Sequence, residues 1–162
     1  MKIPTIHASA VLVGARAVLI RGPSGSGKSR LALALLQAAQ AGFLPFARLV
    51  ADDRVHVQAR HGRLLLRPAE NLAGLLEVRG LGLRQVEAEP LAVAGWVVDL
   101  AAEDAARLPA PTAGAVNLEG VRLPRLAVAA GEEPLPLVLA LLQTRPGHSQ
   151  GVAATPSAMA KK

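Results

Sequence analysis

Apolar positions fall in short blocks separated by charged or glycine-containing turns, and their spacing changes along the chain. Residues 5–13 read as a strand, with Gly14-Ala15 as the turn after it. Residues 17–21 form a second short apolar strand that runs straight into a glycine-rich segment. Residues 29–41 hold strong helix formers, with Leu31, Leu35 and Leu36 at helical spacing and Gly42 as a stop. Residues 49–51 predict a buried strand that ends at Asp52-Asp53 and lies beside the 17–21 strand. Residues 55–59 and 64–67 predict a hairpin turning at His61-Gly62. A short helical turn is expected over 70–76, then a loop over 77–83 whose backbone lies close to something, since Gly80 and Gly82 flank Leu81. Residues 91–100 predict a strand, 109–114 a proline-rich loop, 121–129 a strand interrupted at Pro124, and 134–142 a helix. No repeat is visible. One α/β domain is expected over 1–142, with a flexible tail over 143–162.

Composition narrows the chemistry. Hydrophobic residues make up 51% of the chain but aromatics only 2%, so the core is aliphatic and few rings remain to stack on bases or sugars. The chain has no cysteine, which removes disulfides, thiolate metal sites and cysteine nucleophiles together. The opening Met-Lys-Ile-Pro-Thr-Ile-His lacks the apolar stretch of a signal peptide, and no charge-free apolar run reaches membrane-spanning length. A cytoplasmic location and no membrane partner are expected. Residues 1–81 carry eleven Lys/Arg against four Asp/Glu, while the remainder carries seven against eight. The positive field therefore accompanies the glycine-rich segment and attracts anions. The scarce aromatics and the lack of a recognition motif count against nucleic acid.

The glycine-rich segment Gly22-Pro23-Ser24-Gly25-Ser26-Gly27-Lys28-Ser29 matches G-x-x-x-x-G-K-[ST] in full. Glycine permits backbone conformations that aim successive N–H groups inward, and the helix that follows adds its positive end. In this motif Lys28 reaches the β- and γ-phosphates of ATP and the Ser29 hydroxyl ligates Mg²⁺. The flanking strand and helix are the context the motif requires. A chance glycine turn is the plainer alternative, and the flanks argue against it.

Phosphoryl transfer also needs metal ligands, a group that orients or deprotonates the acceptor, and cations near the transferring oxygens. Asp52 and Asp53, at the end of an apolar strand, are the first candidates. One would help hold Mg²⁺ and the other accept a hydroxyl proton, a division the sequence leaves open. Glu77 and Arg79 come second: two apart on an extended segment, they point to the same face, so Glu77 could ligate metal and Arg79 offset phosphate charge. His7, His56, His61 and His148 show no zinc-like spacing.

The combination of His7, residues 22–29, Leu49-Val50-Ala51-Asp52-Asp53 and Leu76-Glu77-Val78-Arg79-Gly80-Leu81-Gly82-Leu83 resembles the catalytic domain of the HPr kinase/phosphorylase family. The Leu-Glu-Val-Arg-Gly-Leu-Gly stretch is its most specific element, and the likeness extends over roughly residues 5–142. The resemblance implies the P-loop architecture shared with phosphoenolpyruvate carboxykinases, a mixed central sheet with flanking helices. It implies ATP- and Mg²⁺-dependent phosphorylation of a serine on HPr, the phosphocarrier of the sugar phosphotransferase system. It also implies the reverse phosphorolysis, in which inorganic phosphate yields pyrophosphate, and a homo-oligomer, since the family forms hexamers. Carried over by position, Lys28 binds phosphate, Ser29 and Glu77 hold Mg²⁺, the Asp52-Asp53 pair supplies the base, and His7 is a catalytic-site histidine. Arg107 falls near the family's catalytic arginine.

Three departures accompany the likeness. The chain begins at the kinase core, as in the short form known from α-proteobacteria. Arg30 stands where the family usually has an acidic residue. The family's late Pro-Val-Arg-Pro-Gly-Arg segment has no clear counterpart, Leu123-Pro124-Arg125 being the nearest, so the kinase direction is expected over phosphorolysis. Two rival functions fit the same motif: a small-molecule kinase, and a degenerate regulator that binds ATP without using it.

Overall fold

Period-two alternation along the first two strands gives the sheet two apolar faces, and both are buried. In the computed structural model, which describes residues 4–147, β1 (Thr5–Val13) and β2 (Arg16–Arg21) form a hairpin. Ala8, Ala10, Ala17 and Leu19 face one core, and Val11, Val13, Val18 and Ile20 face another. The helix α1 (Lys28–Gln40) then covers the second face with Leu31, Ala32, Leu35 and Ala38. Next come β3 (Ala47–Ala51), β4 (Arg54–Arg60) and β5 (Arg63–Pro68), a small hairpin of β6 (Leu75–Val78) and β7 (Gly82–Gln85), and β8 (Ala92–Leu100). A 3₁₀ turn (Pro111–Gly114), β9 (Ala115–Leu118), β10 (Val121–Val128) and α2 (Pro134–Gln143) complete the order. No helix among the described residues is long and apolar enough to cross a membrane.

The sheet closes on itself. β1 pairs with β4, β4 with β5, β5 with β8, and β8 runs parallel to β2, which returns to β1. This ring encloses a core rich in alanine: Ala8, Ala10, Ala17, Ala51, Ala92 and Ala94 all turn inward. Small side chains thus share this core with leucine and valine, while most of the chain's alanines lie elsewhere. Both helices lie on the other face, where their residues share one cluster. The expected mixed sheet is therefore correct, but its helices do not flank it on two sides, because the curl of the sheet already buries the inner face.

Several expectations need correction. β3 does not lie beside β2. It pairs with β1, since β1 and β8 already occupy the two edges of β2. Residues 70–76 hold no helix; two turns lead into β6. Residues 77–83 are the tip of a hairpin rather than a loop, with Glu77 in β6 and Arg79 in its turn. Pro124 does not interrupt β10. Residues 121–124 pair with β9 and residues 125–128 with β8, so proline sits where the strand changes partner and its missing N–H is tolerated. β9 itself went unpredicted. Gln143, expected to open the tail over 143–162, is the last residue of α2, and most of that stretch, including His148, lies outside the described residues.

The narrow lumen makes a prediction. Ala94 is 1% exposed and pairs with Ala17 across β8 and β2. Ala94→Leu should destabilise the domain by about 1–3 kcal/mol through overpacking, read as a lower urea midpoint with an unchanged m value. An unshifted midpoint would mean that the lumen has room to spare.

Candidate active site

The loop between β2 and α1 takes its shape from two glycines. Gly22 has φ 156°, and a Cβ there would meet Ser26 Oγ at 2.5 Å and Leu100 at 3.1 Å. Gly27, with φ 102°, is the left-handed N-cap of α1, and its carbonyl accepts from the Leu31 N–H. Ser26 N donates to the Pro23 carbonyl at 3.0 Å and closes the turn. The Ser26 hydroxyl is buried without a hydrogen-bond partner. Lys28 Nζ donates to the carbonyls of Gly22 (2.8 Å) and Pro23 (3.1 Å), which holds its charge over the loop. No acidic side chain offsets the positive end of α1 in its first turn. A glycine turn, a helix N-terminus and a lysine thus stand together, the parts from which an anion nest is built.

Asp52 lies beneath this nest and is 4% exposed. Its carboxylate accepts from three donors on three elements. Ser9 Oγ of β1 donates at 2.6 Å, Ser29 Oγ of α1 at 2.7 and 2.9 Å to the two oxygens, and the backbone N–H of Glu77 in β6 at 3.1 Å. Ser9 is fully buried and bridges the gap left because β1, not β2, is the neighbour of β3. Sequence reading missed it, although a lone serine inside an apolar strand was a signal. Asp53 goes the other way. A left-handed φ of 72°, tolerated by aspartate better than by most side chains, turns it outward, where its side chain is 70% exposed. Its Oδ1 lies 3.9 Å from His7 Nδ1.

A cleft of about 840 Å³ lies over the nest, and Lys28, Ser29, Arg30, Asp53, Glu77 and Arg79 line it together with the glycine loop and Ser9. Arg107 does not line it; it sits in an exposed bend between β8 and the 3₁₀ turn. Arg30 lies 3.9 Å from Glu133, with both side chains mostly exposed. No group of three or more His, Asp or Glu converges among the described residues. The Ser29 hydroxyl with the Glu77 or Asp53 carboxylate of the cleft would suit Mg²⁺, which keeps waters and substrate oxygens in its shell.

A second polar system, also missed by the sequence reading, anchors the strand that feeds the loop. Arg21, the last residue of β2, grips Asp99 of β8 with two bonds of 2.7 and 2.8 Å. Arg125 of β10 donates to Asp99 at 2.6 Å, to both oxygens of Asp104 at 2.8 and 3.0 Å, and to the Ala113 carbonyl at 3.2 Å. Burial pushes the Asp99 carboxyl up, but the Arg21 and Arg125 hydrogen bonds and charges outweigh it and hold the group below the usual carboxylate range. Asp104 and then Asp99 raise the Arg125 guanidinium above its ordinary value. Arg125 is thus fully engaged in structure.

The fold is a mixed sheet closed on itself with both helices on its outer face, and the glycine loop that opens α1 is a candidate anion site. A protein-family model described as the HPr Serine kinase C-terminal domain matches residues 2–89. The chain belongs to that family. It is similar to the HPr kinase/phosphorylase of Streptococcus thermophilus, 45% identical over 83 residues, which is 51% of this chain and 25% of that protein. It is 40% identical over 81 residues to the HPr kinase/phosphorylase of Clostridium beijerinckii, 50% of this chain and 24% of that one. The chain thus spans about a quarter of the length of these curated relatives. Among solved structures, the Hpr(Ser) kinase/phosphatase from Coxiella burnetii aligns over 86% of this chain and 88% of its own, with a TM-score of 0.69 and 20% identity. At that identity the likeness establishes the fold alone.

The Asp99 network makes a pH prediction. Because its folded pKa is lowered, Asp99 stabilises the fold fully above the ordinary carboxylate pKa of 3.8, and the contribution is lost as pH falls through the lowered value. Asp99→Asn should cost roughly 3 kcal/mol at neutral pH, by breaking a largely buried pair. The gap to the parent should close on acidification below about pH 4, measured by urea unfolding across pH. A gap independent of pH would place the stabilisation elsewhere.

Proposed function

We propose that this domain transfers the γ-phosphoryl group of ATP to a serine hydroxyl of HPr, in keeping with its family and with the names of its relatives. The observation that carries the reading is the splitting of the aspartate pair: Asp52 is locked under Ser29, and Asp53 faces the cleft.

The roles follow from position. The loop amides of residues 22–29 and Lys28 hold the β- and γ-phosphates. Asp52, buried and engaged by three donors, is assigned a positioning role rather than that of base: it aims the Ser29 hydroxyl and ties β1 and β6 to the loop. Ser29 and Glu77 would hold Mg²⁺, which when bound neutralises charge on the β- and γ-oxygens. Asp53, exposed at the cleft mouth, accepts the proton of the incoming serine. Arg79 and Lys28 offset the charge on the transferring group, and Arg30 adds a further cation at the cleft. Arg107 would need the 101–114 segment to move before it could join them. The kinase direction is the one proposed, since Arg125, the nearest counterpart of the segment linked to phosphorolysis, is held by Asp99 and Asp104.

Incubation with radiolabelled ATP, Mg²⁺ and HPr tests the reading. Wild type should label HPr. Lys28→Ala should reduce transfer by about a hundredfold or more with the fold intact by circular dichroism. Asp53→Asn should lose a similar factor in kcat while still binding ATP, whereas Asp52→Asn should weaken binding of the Mg²⁺ nucleotide itself. Full activity of Lys28→Ala would refute the site, and label appearing on small metabolites instead of HPr would favour a small-molecule kinase.

A further inference from the structure

Arg54 is the first residue of β4, and the register pairs it directly with His7 of β1. One nitrogen of its guanidinium, Nη1, donates to Thr5 Oγ1 at 3.0 Å; the other, Nη2, lies 3.1 Å from His7 Nε2. Thr5 and His7 are two apart on one strand, so their side chains stand on the same face and one guanidinium fork spans both. The other ring nitrogen of His7, Nδ1, faces Asp53 Oδ1 at 3.9 Å.

The chemistry of these partners is asymmetric. A guanidinium has only N–H groups and never accepts a hydrogen bond. Where His7 Nε2 accepts from Arg54 Nη2 at 3.1 Å, the ring proton sits on Nδ1. That is the form in which an N–H points at the Asp53 carboxylate. It is also the form in which the one basic lone pair of the ring is already occupied.

From this we infer that Arg54 is a positioning residue that holds His7 as its neutral Nδ1–H tautomer, so that His7 orients the Asp53 carboxylate and does not itself take up the acceptor's proton. This inference rests on the kinase reading for its catalytic consequence but not for its geometry. It accounts for an arginine immediately after the aspartate pair: the left-handed Asp53 reverses the chain, the Arg54 N–H bonds back to the Asp52 carbonyl at 2.8 Å, and β4 begins opposite His7. A lysine could offer His7 one N–H but could not bridge to Thr5 with a fixed fork.

The test has two readouts. Long-range proton–nitrogen correlation of the labelled protein at roughly pH 8, above the ordinary histidine pKa, reports which ring nitrogen carries the proton, with His7→Gln used to assign the signal. Wild type should show His7 protonated at Nδ1. Arg54→Ala should shift it to the Nε2–H form or to a mixture, and Arg54→Lys, which keeps a donor-only cation, should restore it in part. In the transfer assay, Arg54→Ala should lower kcat roughly fivefold, a small share of what proton transfer supplies, with KM for ATP unchanged. An Nε2–H tautomer in the wild type overturns the inference, and that measurement does not depend on how the variants fold. An unaltered tautomer or an unchanged kcat in a folded Arg54→Ala overturns it as well. If the wild type transfers nothing to HPr, the kinase reading fails while the tautomer still decides the geometry, so the two failures are distinguishable.

Discussion

A buried carboxylate must be matched by donors or it destabilises the fold, and here one carboxylate decides where three elements meet. Asp52 is supplied by a hydroxyl from β1, a hydroxyl from the first turn of α1 and a backbone N–H from β6. None of the three comes from β3, the strand that ends just before Asp52. The carboxylate therefore sets the distance from the β3 end to the glycine loop and holds the 75–85 hairpin over both. Remove it, and the glycine loop, the β6 strand that carries Glu77 and the exposed Asp53 lose their common reference.

The aspartate pair shows how one dipeptide serves two purposes. Successive residues of an extended chain face opposite ways, and here a left-handed Asp53 adds a sharp reversal. One side chain is driven into the interior and its neighbour into solvent. Such a conformation costs free energy for a side chain other than glycine. The Arg54 N–H bond to the Asp52 carbonyl and the Ala8 N–H bond to the Asp53 carbonyl hold it in place. An exposed carboxylate at the cleft and a buried one beneath it thus arise from a single turn.

Below the site, the closed ring supplies rigidity. Alanine, leucine and valine share its inner core, and the parallel pairing of β2 with β8 places Arg21 opposite Asp99 at the rim. Arg125 extends that pairing to Asp104 and the Ala113 carbonyl, so both ends of the crossover segment carrying Arg107 are tied to the strand that feeds the loop. The anion nest therefore stands on a base that is braced by charge on one side and packed by α1 on the other.

By itself the sequence determined what is local. The glycine loop is contiguous, and its conformation depends on residues within eight positions, so the nest, its lysine and its serine were legible, as were the β4–β5 hairpin and both helices. Only the tertiary structure decided who neighbours whom. That β1 lies between β2 and β3, that β10 changes partner at Pro124, and that Ser9 and the Glu77 amide converge on Asp52 all depend on strand order, which hydrogen-bond register sets across dozens of residues and no local pattern encodes. The opposite burial of Asp52 and Asp53, and the pairing of Arg54 with His7, were hidden for the same reason: residue type names the available chemistry, but register and packing set burial and partners.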